Sequence, residues 1–302
     1  MESTNKRLLI AAILFLVIAF SGCTKAKSGS LLQSDGIIIT DFIPDSNAID
    51  AGERTTVELD FQNAGESTAT GITSILLRKG SFLVEPITPQ KATDLDQPVE
   101  DTPSADAFLW DLTAPKITSD RIEEVQARIY YGYTTQGFAT INFVPRDILR
   151  EQGESAFPID SSVTAGPLHI EIASVQPYVI RDKQADVAPV RAAFTVTNVG
   201  SGSVESTTKE QIGNCDKGLN CIDEIVVTGF GASCIDAETN QPLLKTYKGV
   251  RLVEGAEGQF TDTYNLKIND PNAATSCQLL ATAKYRYRID SEILSIEIRA
   301  IK

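Results

Sequence analysis

Hydrophobic and polar residues alternate along two stretches of the chain that match each other without a gap. In "VELDFQNAG", Val57, Leu59 and Phe61 alternate with Glu58, Asp60 and Gln62. In "AAFTVTNVG", offset by 135 positions, Ala192, Phe194 and Val196 alternate with Ala193, Thr195 and Thr197. A period of two sends successive side chains to opposite faces, so both stretches predict half-buried β-strands. Asn63 and Asn198 coincide at the strand ends, as do Gly65 and Gly200. Asn and Gly tolerate positive φ, which predicts the same turn after each strand.

The match extends in both directions. Upstream, "IIITDFIP" aligns with "HIEIASVQP" at an offset of 133, pairing Ile37, Ile39, Phe42 and Pro44 with Ile170, Ile172, Val175 and Pro177. Downstream, residues 125–133 alternate like residues 280–289, and each run is followed by a last strand, 138–144 and 293–300. Two copies of one β-domain account for this pattern. Further strands are predicted at 71–78, 81–85 and 107–115 in the first copy, and at 223–231, 243–253 and 259–268 in the second. Short strands punctuated by Gly, Pro and Asn predict an all-β chain of two tandem immunoglobulin-like β-sandwiches, at 36–153 and 167–302. Pro145 and Gly153 bracket one short helix, and residues 154–166 read as a linker.

The repeated strand ending in Asn-x-Gly, after an opening strand with a Pro, resembles the CARDB-like and related immunoglobulin-like domains of archaeal and bacterial cell surfaces. The likeness covers nearly all of residues 36–302. It implies sandwiches of about seven strands, a surface location, and adhesive or spacer roles. The chain departs from antibody-type domains, since no Cys-Trp-Cys pattern spans either copy. Trp110 is expected in the first core.

The start of the chain carries a different signal. Lys6 and Arg7 precede "LLIAAILFLVIAF", an apolar run of 13 residues. A membrane-spanning helix needs about 20. Thirteen is the length of a signal-peptide core behind a basic flank, so residues 1–22 are expected to be a signal segment. Phe20-Ser21-Gly22-Cys23 resembles the lipobox of prokaryotic lipoproteins, with Phe20 where Leu is usual. The resemblance implies cleavage before Cys23 and lipidation of Cys23. Two acyl chains anchor stably, at about 0.8 kcal/mol per buried CH₂. The polar stretch behind Cys23 reads as a flexible tether, making 23–35 the anchor and its lead.

Charge and cysteines narrow the setting. The net charge is −13, and the first 22 residues carry +1, leaving −14 on the rest. An acidic body is repelled by phosphate backbones, so nucleic acid is not an expected partner. The membrane, other envelope proteins and further copies of the chain are. Besides Cys23 there are Cys215, Cys221, Cys234 and Cys277, and an even count in an exported chain reads as disulfides. Three pairings exist; Cys215–Cys221 and Cys234–Cys277 are favoured.

The only histidine, His169, is expected to face outwards and has no catalytic partners in the sequence. No cofactor, metal site or catalytic residue is expected. The acidic run holding Asp94, Asp96, Glu100, Asp101 and Asp106 lacks EF-hand spacing and reads as a solvated loop. The segment 86–106 around it is long for a connection and is the best candidate recognition loop. Tyr131 and Tyr133 share one strand face, as do Tyr285 and Tyr287, and all are expected in the core. Lys284, Arg286 and Arg288 then form an outward basic stripe, a candidate interaction surface for an acidic neighbour. The leading functional expectation is a non-catalytic, membrane-anchored scaffold or interaction protein on the outer face of the cell membrane. The alternatives are a filament subunit assembling by β-strand addition and a carbohydrate- or ion-binding module.

Overall fold

The computed structural model describes residues 36–301, apart from Thr88, Asp101, Ile159, Val175, 182–185 and 207–218. They belong to one compact unit, Ser34–Lys302. The expected signal segment, Cys23, the tether and Cys215 lie outside the described residues.

The first repeat runs through β1 (Ile37–Pro44), β2 (Ala48–Asp50), β3 (Arg54–Asn63), β4 (Thr70–Lys79), β5 (Leu83–Glu85), β6 (Gln90–Lys91), β7 (Ser104–Thr113) and β8 (Arg121–Pro145). Helix α1 (Arg146–Gln152) follows, between Pro145 and Gly153 as the sequence predicts. The expected linker holds a 3-10 turn (Glu154–Ala156) and β9 (Ser161–Val163). The second repeat runs through β10 (Leu168–Ser174), β11 (Tyr178–Ile180), β12 (Val187–Asn198), β13 (Ser203–Glu205), β14 (Cys221–Phe230), β15 (Leu244–Arg251), β16 (Glu257–Lys267), β17 (Thr275–Asp290) and β18 (Leu294–Arg299).

The described strands form three sheets. Two are small, in the orders β1-β3-β7-β5 and β10-β12-β16. The third has 11 strands and follows the path β15-β14-β17-β8-β18-β2, with β4, β6, β9, β11 and β13 alongside. Odd-numbered residues of β8 are buried from Val125 to Phe143, while the even-numbered ones between them stay partly exposed. One face of the large sheet is therefore covered along its whole length. Both small sheets pack on that face, giving an all-β sandwich with two lobes. Val57, Leu59 and Phe61 of β3 are fully buried, each worth about 1.5–3 kcal/mol against exposure. Each lobe stacks a phenylalanine pair across its small sheet: Phe61–Phe108 at 4.9 Å and Phe194–Phe260 at 4.7 Å. Trp110 lies in the first core as expected.

The lobes do not coincide with the two sequence copies. Residues 125–133 and 138–144 were expected as two strands with a turn between them, but they are one strand of 25 residues. The first half of β8 pairs with β4, and its end pairs with β9 and, in parallel, with β11 of the second repeat. β17 and β18 likewise form one line along β8. Thr275 pairs with Phe143 and Asp290 with Arg128; after one extra residue, Leu294 pairs with Val125 and Ile298 with Arg121. β18 also runs parallel to β2 of the first repeat. Each lobe thus takes its last strand from the other repeat, and neither 36–153 nor 167–302 closes a sandwich by itself. Local chemistry supports the straightened connection. Thr135 is β-branched, fully buried, and hydrogen-bonded through Oγ1 to Tyr285 Oη at 2.7 Å.

An approximate dyad relates the repeats. It passes where Gly132 faces Arg286, so Tyr131 faces Tyr287 and Tyr133 faces Tyr285. Equivalent hydrogen bonds mark it: Ser67 N donates to Tyr133 Oη, and Gly202 N donates to Tyr287 Oη. Asn63 and Asn198 are equivalent too, but through side chains rather than positive φ, which neither residue adopts. Asn63 Nδ2 donates to the carbonyls of Ser67, Leu95 and Asp96, and Asn198 Nδ2 donates to those of Gly202 and Gly255. The opening strands align differently from the expected offset of 133. Ile37 faces Asn63 and Leu168 faces Asn198, so Ile37 corresponds to Leu168. The offset is 131 before the bulge at Thr40 of β1 and 130 after it, where Phe42 corresponds to Ile172.

Two glycines allow the exchanged strands to close on their neighbours. A Cβ on Gly137 would stand 2.0 Å from the Ile170 carbonyl oxygen, and one on Gly202 would stand 2.0 Å from that of Arg288. Gly137→Ala therefore forces backbone apart where β10 crosses β8. The expected loss is about 1–3 kcal/mol, or roughly 2–12 °C in melting temperature for a body of this size. A melting curve unchanged by the substitution would contradict this packing.

Candidate interaction surfaces

The four dyad tyrosines form a closed buried ring. Neighbouring centroids lie 6.0 Å apart for Tyr131–Tyr133, 6.4 Å for Tyr133–Tyr285, 6.3 Å for Tyr285–Tyr287 and 5.8 Å for Tyr287–Tyr131. Every phenol oxygen is engaged: Tyr131 accepts from Ile37 N, and Tyr287 donates to Asn198 Oδ1 at 2.7 Å. Burial holds Tyr131 and Tyr285 well above the ordinary phenol range and pushes Tyr133 up to about 12. The ring is structural cement between the lobes, as the core expectation for these residues implies.

The basic stripe lies on the open face of the large sheet. Lys284 is exposed, while Arg286 and Arg288 are half-buried. Its charge is largely answered within the molecule. Arg286 sits 4.7 Å over the Tyr130 ring and 3.6 Å from Glu205. Lys284 stands opposite Glu224 in the ladder. Next to the stripe, Arg128 makes a two-pronged pair with Asp290 at 2.5 and 2.7 Å. Glu205 and Glu224 come from β13 and β14, and Asp290 ends β17 itself, so the sequence stripe becomes a mixed-charge face rather than a cationic patch.

The segment 86–106 is packed rather than free-standing. β6 pairs with β4, Ala69 bridges to Leu95, and Leu95 is buried. Its carboxylates serve turns: Asp94 accepts from Gly71 N at 2.8 Å and Asp96 from Thr68 Oγ1 at 3.2 Å. Asp101 lies outside the described residues. Where the segment begins, Leu83, Pro86 and Ile87 rim an apolar cavity of about 200 Å³ floored by Trp110. Nothing marks what would cover it.

A longer groove of about 590 Å³ runs beside β1. One wall is β1 from residue 38 to 43; the other is residues 289–292, where β17 gives way to β18, with Ser201 at one end. Among the described residues β1 is an edge strand, paired with β3 alone. Ile37 N–H points away from β3, towards Tyr131 Oη. The two-residue period of a strand then turns the peptide groups of Ile39 into the groove. Ile43 at its mouth is 51% exposed.

Cys234 and Cys277 form a disulfide with Cα atoms 4.9 Å apart, as the sequence reading favoured. Both are buried, and the bridge ties the loop after β14 to β17. Cys221 at the start of β14 is also disulfide-bonded; Cys215, its expected partner, lies outside the described residues. His169 on β10 is partly exposed, and burial of its ring lowers its pKa.

No family model and no curated protein matches the chain. Among solved structures, red sea bream transglutaminase aligns with 86% of this chain and 31% of its own, at 7% identity and a TM-score of 0.20. The chain therefore spans about a third of that protein's length. The collagen adhesin CNA from S. aureus aligns over 90% of this chain and 95% of its own, at 9% identity and a TM-score of 0.12. The collagen binding domain of the Erysipelothrix rhusiopathiae surface protein RspB aligns over 89% and 99%, at 8% identity and a TM-score of 0.12. Scores this low carry no argument about fold or function.

Proposed function

We propose that this chain is a prokaryotic lipoprotein, held on the outer face of the cell membrane through Cys23, whose two-lobed body acts as a non-catalytic interaction or scaffold module of the envelope. The observation that carries the compartment is the buried Cys234–Cys277 bridge, because disulfides persist in oxidising environments and are rare in the cytosol. The signal-like run, the lipobox resemblance at Cys23 and the CARDB-like repeat motif support the same location and role. The architecture suits a scaffold: two lobes share one large sheet, and their open face and edge strands are available to neighbours. Partners are other envelope proteins or further copies of this chain.

The test is fractionation with mass analysis. The native chain is expected in the membrane fraction, released only by detergent, with an N-terminal peptide that starts at Cys23 and carries acyl mass. Cys23→Ala should lose the acyl mass and the processing before residue 23. A native chain found in the cytosol with five free thiols would end this reading.

A further inference from the structure

We infer that the groove beside β1 is an acceptor for one extended strand of a partner polypeptide, bearing small and aliphatic side chains and no carboxylate. The inference rests on the interaction-module reading above and adds where the contact is made and by what chemistry.

The dyad supplies the argument. Equivalence of Tyr131 with Tyr285 and of Tyr133 with Tyr287 carries residues 137–139 of β8 onto residues 291–294, which hold the one extra residue of the second copy. Equivalence of Asn63 with Asn198 carries Ile39 of β1 onto Ile170 of β10. In the second lobe the place beside residues 137–139 is filled. β9 pairs there antiparallel, with Gly137 opposite Val163 and Ala139 opposite Ser161. The seat is built at both ends: Thr140 N donates to the Asp160 carbonyl at 2.9 Å, and Thr164 exchanges backbone and hydroxyl hydrogen bonds with Gln136. Among the described residues no strand pairs with 291–293 in the first lobe. The groove of about 590 Å³ lies there instead, against the free edge of β1.

What fills the one site indicates what fits the other. The β9 strand is Ser-Ser-Val, small and uncharged. The groove offers Ile39, Phe42 and Ile43 to aliphatic side chains and the outward peptide groups of β1 to a backbone. Six residues of β1 match a strand of about 20 Å. Asp41, Asp290 and Glu292 line it as well, which disfavours an acidic peptide. Main-chain bonding along an edge with pockets for alternate side chains is the general form of strand addition.

The test uses the compact unit Ser34–Lys302, which holds every described strand. Labelled with ¹⁵N, it is titrated with three capped peptides: SSVTAG, from residues 161–166; SGSLLQS, from residues 28–34, which stand as far before β1 as β9 stands before β10; and SDVDAG, an acidic control. Saturable shifts are expected with at least one neutral peptide, confined to β1 and residues 289–293, with a Kd in the micromolar to millimolar range. Binding of SGSLLQS would identify the donor as residues 28–34 of this chain's sequence. Light scattering of the full chain would then distinguish a second copy, which gives a dimer or larger species, from the chain's own segment, which leaves a monomer. Ile43→Lys, a charge on a strand edge, should weaken binding at least tenfold without lowering the melting temperature. No saturable shift with either neutral peptide, shifts elsewhere, or equal binding of the acidic control would overturn the inference. None of those results would move Cys23 or the disulfide, so the proposed location would stand.

Discussion

Cut between Gly153 and Glu154, the body should give two polypeptides that fold only together. The half ending at Gly153 keeps the sheet β1-β3-β7-β5 but loses β18. It also projects the second half of β8, with Ile141 and Phe143 bared. The half starting at Glu154 keeps β10-β12-β16 but loses the β8 segment against which β17 pairs from Thr275 to Asp290. Each half alone is left with an incomplete sandwich and a long unpaired edge, which is an aggregation liability. Alone, each is expected to lack a cooperative melt, or to self-associate by pairing β8 or β17 with its own copy. Mixed, they should form a 1:1 complex with the melting behaviour of the intact body. Light scattering and circular dichroism decide the matter. Two halves that each melt cooperatively as monomers would mean that each repeat closes its own last hairpin, and the exchange would be wrong.

The second large effect is on the alkaline side. Tyr131, Tyr133, Tyr247, Tyr264 and Tyr285 all have raised pKa values, with burial the largest cause for each. Hydrogen bonding to Asp262 adds to the rise at Tyr247. A raised phenol keeps its proton in the folded state after the unfolded state has released it. Stability is therefore full below the unfolded value near 10 and falls as pH rises through it towards the folded values. The fully buried Tyr131 and Tyr285 each cost up to about 1.4 kcal/mol per pH unit in that window, and the less buried Tyr133, Tyr247 and Tyr264 add smaller, solvent-screened amounts. A domain stable by roughly 5–15 kcal/mol cannot absorb that for long. Cooperative unfolding is expected within about two units above pH 10, with tyrosinate absorbance and loss of sheet signal rising together. Phenols that ionise while the sheet signal stays intact would show the ring to be accessible.

Much of this fold is legible in the sequence, because alternation is a local property. The strands at 57–63 and 192–198, the helix after Pro145 and the inward tyrosines all follow from side-chain period alone. The exchange of last strands does not. Thr134-Thr135-Gln136-Gly137 has the polar, Gly-ended look of a hairpin turn, and Asp290-Ser291-Glu292 looks much the same. Whether such a stretch bends or runs straight depends on the strand waiting beyond it, which the local pattern does not contain. The basic stripe was legible as a face but not as a charge, since Glu205 and Glu224 reach it from β13 and β14. The groove beside β1 left no trace in the pattern, because it is defined by what the second lobe has and the first lacks.

The dyad through Gly132 and Arg286 has one more implication. A gene half this length, encoding a single repeat, would already build this body as a symmetric pair of chains trading their final strands. Duplication and fusion through the helix at 146–152 would then join the pair covalently, making assembly independent of protein concentration and freeing the two lobes to diverge.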